Sequence, residues 1–129
     1  MKASTREWVA KAGEDFAAAC LLARPRRKPL WSPVCFHAQQ CIEKYLKARL
    51  NEASMPLRRT HDLEQLLNQV LIAEPLWSAF RAALKRLSDA AVVPRYPGAI
   101  VTKAEAQRAL KTCKSFRKEG RLSLGLAVK

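Results

Sequence analysis

The sequence of 129 residues contains little glycine and no long apolar run. Only four glycines are present and none is clustered, which excludes a phosphate-cradling glycine loop. No stretch approaches the roughly 20 apolar residues of a membrane span. Met1 to Glu7 are largely polar and charged, unlike the start of an export signal. Export and membrane insertion are therefore not expected.

Cysteine pairs and nucleophile motifs are also missing. The cysteines are scattered through apolar positions without a CxxC pair, and they are Cys20, Cys35, Cys41 and Cys113. His37 and Cys41 have a spacing that suits half of a zinc site, but no second ligand pair accompanies them. No serine or cysteine nucleophile with its base is recognisable, and no paired-carboxylate site. We expect reduced core thiols in a cytoplasmic protein with no metal and no cofactor.

Acidic residues are scarce as well: the chain has 11 aspartates and glutamates and 24 lysines and arginines, which gives a formal net charge of +13. Such a charge favours a polyanionic partner, either nucleic acid or an acidic protein, and does not distinguish between them. Hydrophobic residues make up 49% of the chain, enough for one folded domain.

Apolar residues recur every three or four positions in five segments, and no convincing period-two segment appears. This pattern predicts an all-α fold, an antiparallel up-and-down helical bundle of about five helices. We expect the bundle over residues 1–120 and a fraying C-terminal tail over residues 121–129.

Caps and prolines predict where the helices begin and end. The first helix should run from Trp8 to before Pro25, and the second from a Ser32 cap to about Asn51. Thr60 should cap the third, with Asp62 in its first turn. The fourth should run from about Pro75 to before Pro94, and the capping box of Thr102 and Glu105 should start the fifth.

Several of these segments carry a motif in a fixed order. The second helix reads Cys35-Phe-His-Ala-Gln-Gln-Cys-Ile-Glu-Lys-Tyr-Leu-Lys-Ala, and Thr60-His-Asp-Leu-Glu-Gln-Leu-Leu and Arg95-Tyr-Pro follow it. Trp8-Val-Ala-Lys-Ala-Gly-Glu-Asp-Phe precedes it. Together they resemble the HEPN domain family over about Trp8 to Phe116. The resemblance implies a homodimeric helical bundle, often encoded beside a minimal nucleotidyltransferase as a toxin and antitoxin pair.

The ribonuclease branch of that family has an arginine, four to six residues, then a histidine. The positions for that arginine are Ser54 to Pro56 before His61 and Leu30 to Ser32 before His37, and none is basic. No histidine follows Arg95. The usual acid and base for cutting a phosphodiester are therefore absent as a local motif, which disfavours an enzyme.

The leading hypothesis is a binding subunit for nucleotide or RNA that acts with a nucleotidyltransferase partner. Arg95 and Arg59 would grip phosphate, and Tyr96 would stack on a base. The other candidate ligand-binding residues are His61, Arg58, Gln40, Lys44 and His37. One alternative is a metal-independent endoribonuclease toxin that uses His61 with Arg95. Another is a protein-binding helical module for an acidic partner.

Each candidate also has a purely structural interpretation. His61 would only orient its loop, and Arg95 would pair with Asp89 or Asp62 while Tyr96 packs on the bundle. A stripe of the second helix would be a solvated face or a dimer seam rather than an anion groove beside Arg95, and it comprises His37, Gln40, Lys44 and Lys47. A basic stripe of the fifth helix would be solvated rather than track phosphates, and it comprises Lys111, Lys114, Lys118 and Arg121.

Overall fold

A computed structural model of the protein describes residues 1–92, 97–98 and 100–128. The α-helices are α1 (Ala3–Leu22), α2 (Trp31–Glu52), α3 (Leu63–Val70), α4 (Arg81–Val92) and α5 (Lys103–Ser123). A 3-10 helix over Pro75–Phe80 leads into α4. These residues contain no strand, so the predicted all-α bundle of five helices is confirmed.

The central element of the bundle is α2, which contacts every other α-helix. It runs in the same direction as α5, because Glu105 lies near Cys35 at one end while Arg121 donates to the Tyr45 hydroxyl at the other, 3.2 Å away. Both α1 and α4 run the opposite way. The fully buried apolar side of α2 comprises Val34, Cys35, Ala38, Cys41, Ile42, Tyr45, Leu46, Ala48 and Leu50.

The first helix begins at Ala3, five residues before the predicted start at Trp8. Tertiary contacts with the end of α2 hold this extra turn. The Lys2 amide donates to the Glu52 carboxylate at 3.0 Å, and the Thr5 hydroxyl donates to the same oxygen at 2.9 Å. The prediction was wrong here because the stabilising partners lie about fifty residues away in sequence.

The predicted cap at Ser32 was also wrong. The Val34 amide already donates to the Leu30 carbonyl at 3.4 Å, so α2 begins at Trp31 with Leu30 as its N-cap and no side-chain cap. Ser32 therefore lies inside the first turn, where its hydroxyl cannot cap the free amides.

Asp62, rather than Thr60, caps α3. The Asp62 side chain accepts hydrogen bonds from the backbone amides of Glu64 and Gln65, at 2.9 and 3.4 Å. The Thr60 hydroxyl accepts from the Asp62 amide at 3.1 Å instead. The predicted helix start was two residues early, and His61 consequently lies in the approach to the helix rather than within it.

The predicted fourth helix is divided into two kinds of helix. Residues Pro75–Phe80 wind as a 3-10 helix, in which residues three apart share a face. This winding brings Trp77 and Phe80 onto Phe116 of α5, with ring centroids 5.1 and 5.0 Å apart. Tertiary packing of these rings therefore favours the tighter turn before α4 starts at Arg81.

The fifth helix begins after Thr102, whose side chain accepts from the Glu105 amide at 3.1 Å, as predicted. It continues past Gly120 to Ser123. Gly125, with φ of 73°, then closes it, because the Leu126 amide donates to the Arg121 carbonyl at 2.8 Å and the Gly125 amide to Leu122 at 3.1 Å. The helix therefore ends three residues beyond Gly120, while the division into a bundle over residues 1–120 and a fraying tail over residues 121–129 stays a prediction.

All four cysteines are free thiols, and three of them are buried. Burial, with the nearby Glu105 carboxylate, raises the pKa of the Cys35 thiol to about 11. A hydrogen bond with Cys113, together with burial, raises the pKa of the Cys41 thiol. The Cys35 and Cys41 thiols are therefore protonated at neutral pH, and both residues pack in the core. None of the described helices is long and apolar enough to cross a membrane.

Candidate functional site

The polar side of α2 lies between α1 and the segment of residues 53–62, which returns along α2. The return begins where the Met55 amide donates to the Leu50 carbonyl at 3.0 Å. It reaches Gln39, whose amide group donates to the His61 carbonyl at 3.1 Å. The polar face of α2 consists of six residues: His37, Gln39, Gln40, Glu43, Lys44 and Lys47.

Glu43 is the buried anion of this face, with only 2% of its surface exposed. Its carboxylate lies 3.2 Å from the Lys47 ammonium and 3.0 Å from Nδ1 of His61. Lys47 in turn lies over the Trp8 ring, 5.5 Å from its centroid. A buried carboxylate is tolerated only with such partners, so these contacts form one connected unit.

His61 is held by a hydrogen bond to Glu43, yet most of its ring is exposed to solvent. Its side chain is 82% exposed, while Nδ1 lies against both oxygens of Glu43. Because a carboxylate accepts hydrogen bonds, Nδ1 is the donor, and Nε2 is left on the exposed side of the ring. The Gln39 amide also fixes the backbone of His61. The imidazole is therefore oriented before any ligand arrives.

His37 has a similar support on α1. Its Nδ1 lies 2.8 Å from Asp15, a residue only 8% exposed, and the same carboxylate forms an ion pair with Lys44. Both histidines are thus oriented through Nδ1 by a buried carboxylate. The stripe is not a solvated face at Lys44 and Lys47, because Lys44 pairs with Asp15 and Lys47 is only 7% exposed. Its alternative interpretation as a dimer seam stays a prediction.

Two exposed basic segments lie close to α2, one just before it in the chain and one within the returning segment of residues 53–62. Arg58 and Arg59 are exposed, and neither has an ion pair within the part of the chain that the structure describes. The same holds for the cations between α1 and α2, which are Arg24, Arg26, Arg27 and Lys28. Unpaired guanidinium groups on exposed backbone are free to bind an anion.

The predicted ligand-binding residues fall into two groups. His61 contacts Gln39 and Glu43 of α2, the helix that carries Gln40, Lys44 and His37, and Arg58 and Arg59 precede His61 on the same segment. His37 and Lys44 bond to Asp15 of α1. Arg95 and Tyr96 lie outside the described residues, as does the suggested pairing of Arg95 with an aspartate. Of the two suggested aspartates, Asp89 lies 3.7 Å from Lys85.

Sequence reasoning missed the two carboxylates that orient the histidines. Glu43 and Lys47 are four residues apart, a spacing that pairs them on a helix. No comparable local signal joins Asp15 to His37 or Glu43 to His61, which are 22 and 18 residues apart. Phe36, an exposed ring beside His37, was missed as well.

The basic stripe of α5 is not uniformly solvated. Arg121 donates to the Tyr45 hydroxyl at 3.2 Å and to the carbonyl of Ala127. Lys114 and Lys118 are exposed. Lys111 borders a separate groove of about 650 Å³ between α4 and α5, whose floor includes Phe80, Leu87 and Ala109. This groove shares no lining residue with the polar face.

No group of three or more histidine, cysteine, aspartate or glutamate side chains within residues 1–92, 97–98 and 100–128 is arranged for a metal ion. Cys41 is fully buried in the core. His37 instead bonds to Asp15.

Comparison with known proteins gives one result that covers nearly the whole chain. No curated protein and no solved structure matches this chain. The model of the HEPN domain matches residues 5–122, a range that contains α1 to α5 almost completely and all of the polar face. The chain belongs to the HEPN domain family.

Proposed function

We propose that this HEPN protein is a binding subunit that holds a nucleotide or RNA on the polar face of α2 and the adjoining residues 53–62. The single observation that carries the proposal is the grouping of Arg58 and Arg59, both exposed and unpaired, beside an imidazole locked by buried Glu43. Two guanidinium groups match the geometry of phosphate oxygens. His61 adds a hydrogen-bonding group whose direction is already fixed.

The low acidic content supports an anionic ligand at this place. Of the carboxylates near the polar face, Glu43 and Asp15 are each already paired with a lysine and a histidine. They therefore add little repulsion toward a phosphate, while the flanking arginines retain their full charge. The overall charge of +13 attracts the ligand from a distance.

The proposed setting is a homodimer that acts with a minimal nucleotidyltransferase, the two being encoded together as a toxin and antitoxin pair. Membership of the family supports this setting, together with a charge suited to a polyanion or an acidic partner. Light scattering on the purified protein tests the dimer, which should have twice the mass of one chain. Copurification with the product of a neighbouring nucleotidyltransferase gene tests the partner.

The second candidate function is metal-independent RNA cleavage. The observation in its favour is the Glu43 and His61 pair, because a carboxylate that orients an imidazole through Nδ1 leaves Nε2 as a general base. In such a reaction Nε2 would take the proton of a ribose 2′-hydroxyl as that oxygen attacks phosphorus. The bond from phosphorus to the 5′-oxygen of the next nucleotide would break, and that oxygen would leave with a proton from the imidazolium or from water, so that the other product is a 2′,3′-cyclic phosphate. Arg58 or Arg59 would stabilise the charge on phosphate.

RNA binding measured by fluorescence anisotropy across a salt series tests the proposal, alongside a gel assay for cleavage. Arg58→Ala and Arg59→Ala should each weaken binding and lower the salt slope by about 1 if each arginine contacts one phosphate. Arg86→Ala is the matched control, since it removes one exposed cation from α4, away from the polar face. The control should retain the slope of the original protein.

The outcomes separate the candidates. Binding of uncut RNA that weakens in the Arg58 and Arg59 variants, and not in the control, supports the binding subunit. Cleavage that disappears in His61→Ala would replace it with the ribonuclease. If neither RNA nor nucleotide binds at moderate salt, both the binding subunit and the ribonuclease are excluded, and an acidic protein partner is favoured.

A further inference from the structure

We propose that the polar face accepts single-stranded RNA and that Phe36 is the platform on which one base stacks. This inference rests on the proposed function and specifies its substrate class. Phe36 is 41% exposed, although burying such a ring would stabilise the fold. Exposed aromatic side chains on a basic protein are typical of single-strand binding, because unpaired bases stack on them.

The position of Phe36 places it on the ligand side of α2. Phe36 precedes Gln40 by four residues and Glu43 by seven, the spacings that align side chains on one helical face. The Gln40 side-chain amide in turn donates to Oε1 of Gln39 at 3.1 Å, and the Gln39 side-chain amide donates to the His61 carbonyl. The ring and the oriented imidazole therefore belong to one continuous surface.

A neighbouring contact steadies the ring. The Phe36 and His37 rings meet edge to face, with centroids 5.2 Å apart and an interplanar angle of 82°. His37 is itself fixed by its bond to Asp15. Phe36 is thus an exposed ring with a supported orientation, which lowers the entropy lost when a base stacks on it.

Cations lie on both sides of this ring along α2. The segment with Arg24, Arg26, Arg27 and Lys28 directly precedes α2, and Phe36 lies near the helix start at Trp31. His61 follows at the level of Gln39 and Glu43, and Arg59 and Arg58 continue in the direction of Leu50. This order of cations, ring and cations suits phosphates that flank a stacked base.

An unpaired base is required for this arrangement. In an RNA duplex both faces of each internal base are covered by its neighbours, so the Phe36 ring would have nothing to stack on. The two basic segments alone would bind single and double strands through their phosphates. The stacking ring therefore distinguishes the two ligands.

The experiment measures binding of a short fluorescein-labelled single-stranded RNA, and of the same RNA annealed to its complement. The proteins are the full chain, Phe36→Ala, Phe36→Trp and Leu76→Ala. Leu76 is the control because it is another exposed apolar residue, 87% exposed, in the 3-10 helix. Phe36→Ala should weaken single-strand binding about tenfold and leave the salt slope unchanged. Phe36→Trp should retain the affinity, and Leu76→Ala should not alter it.

Failure of this inference differs from failure of the proposed function. If Phe36→Ala binds the single strand as tightly as the Leu76→Ala control while the Arg58 and Arg59 variants lose affinity, the stacking platform is wrong and the binding surface stands. Equal or tighter binding of the duplex would also overturn the single-strand preference. If the original protein binds neither RNA at moderate salt, both proposals fail and an acidic protein becomes the ligand to seek.

Discussion

Glu43 holds a carboxylate almost fully out of water, where Lys47 forms an ion pair with it and Nδ1 of His61 donates a hydrogen bond to it. The unit combines structure with the proposed ligand binding, because the same carboxylate that pairs with a buried lysine also orients an exposed imidazole. Removing Lys47 would leave the carboxylate short of a counter-charge, whereas removing His61 would take away an exposed ring. His61→Ala is therefore the milder variant for probing function.

Gly120 is the residue where an added methyl group should cost stability. A Cβ there would lie 3.2 Å from the Tyr45 ring, and Tyr45 is fully buried and bonded to Arg121. Gly120→Ala should lower the free energy of unfolding by about 1 kcal/mol, since crowding outweighs the gain in helix propensity. Urea denaturation followed by circular dichroism measures the change.

Gly13 of α1 provides the matched control for that prediction. A Cβ there would have no neighbour within 4 Å, so Gly13→Ala should raise the free energy of unfolding by up to about 1 kcal/mol. If both variants are stabilised to the same extent, the steric account of Gly120 is incorrect.

At the scale of the elements, the first turn of α1 and the last turn of α2 hold each other. Glu52 is the common acceptor of this contact, for the Lys2 amide and the Thr5 hydroxyl. The hydrogen bonds from Lys2 and then Thr5 are the main reasons that the pKa of Glu52 is lowered. Ionised Glu52 therefore stabilises the folded chain more than the unfolded one.

Glu52→Gln should make the protein less stable at neutral pH and less sensitive to acid. A carboxyl group whose pKa is lowered by folding stabilises the protein above its ordinary pKa of about 4.3, and this contribution is lost as the pH falls below that value. The difference in Tm between the original protein and Glu52→Gln should therefore shrink in acid. Thermal melts at a series of pH values measure it, and a difference that grows in acid would contradict the assignment.

The helices could be predicted from the sequence, but several of their ends could not. Periodic apolar residues are a local signal, and they correctly predicted five helices and the Thr102 cap. The start of α1 depends on Glu52, and the 3-10 turn depends on packing against Phe116, both distant in sequence. Thr60 and Asp62 are both good capping residues, so composition alone could not choose between them.

The sequence was enough to predict which residues belong to the candidate site, but not how those residues are arranged. Two histidines and two adjacent arginines were evident in the sequence, and the structure brings His61, Arg58 and Arg59 next to α2. Their supports come from other elements, with Asp15 on α1 and Glu43 on α2. Such long-range hydrogen bonds have no periodic signature.

The whole molecule carries a charge of +13, so its charges repel one another on average. Compaction brings like charges together and opposes folding, and salt screens this repulsion. We expect the Tm to rise by a few degrees as NaCl is raised from very low concentration to about 0.15 M. Differential scanning calorimetry measures the shift.

An uncharged osmolarity control, with sucrose matched to the osmolarity of the salt, separates screening from general solvent effects. A Tm that falls with NaCl would mean that the ion pairs around Asp15, Glu43 and Glu74 contribute more than the repulsion opposes. In that case repulsion between the basic segments would destabilise the folded protein less than their charge predicts.

The central position of α2 has a consequence for how this protein can evolve. Substitutions on α2 must satisfy two demands at once, because one side of the helix forms the core and the other carries the polar face. The exposed residues Arg24, Arg26, Arg27, Lys28, Arg58 and Arg59 carry no packing demand of this kind. If the proposed function holds, a new ligand preference can therefore arise most readily through substitutions in the two basic segments, while α2 stays unchanged.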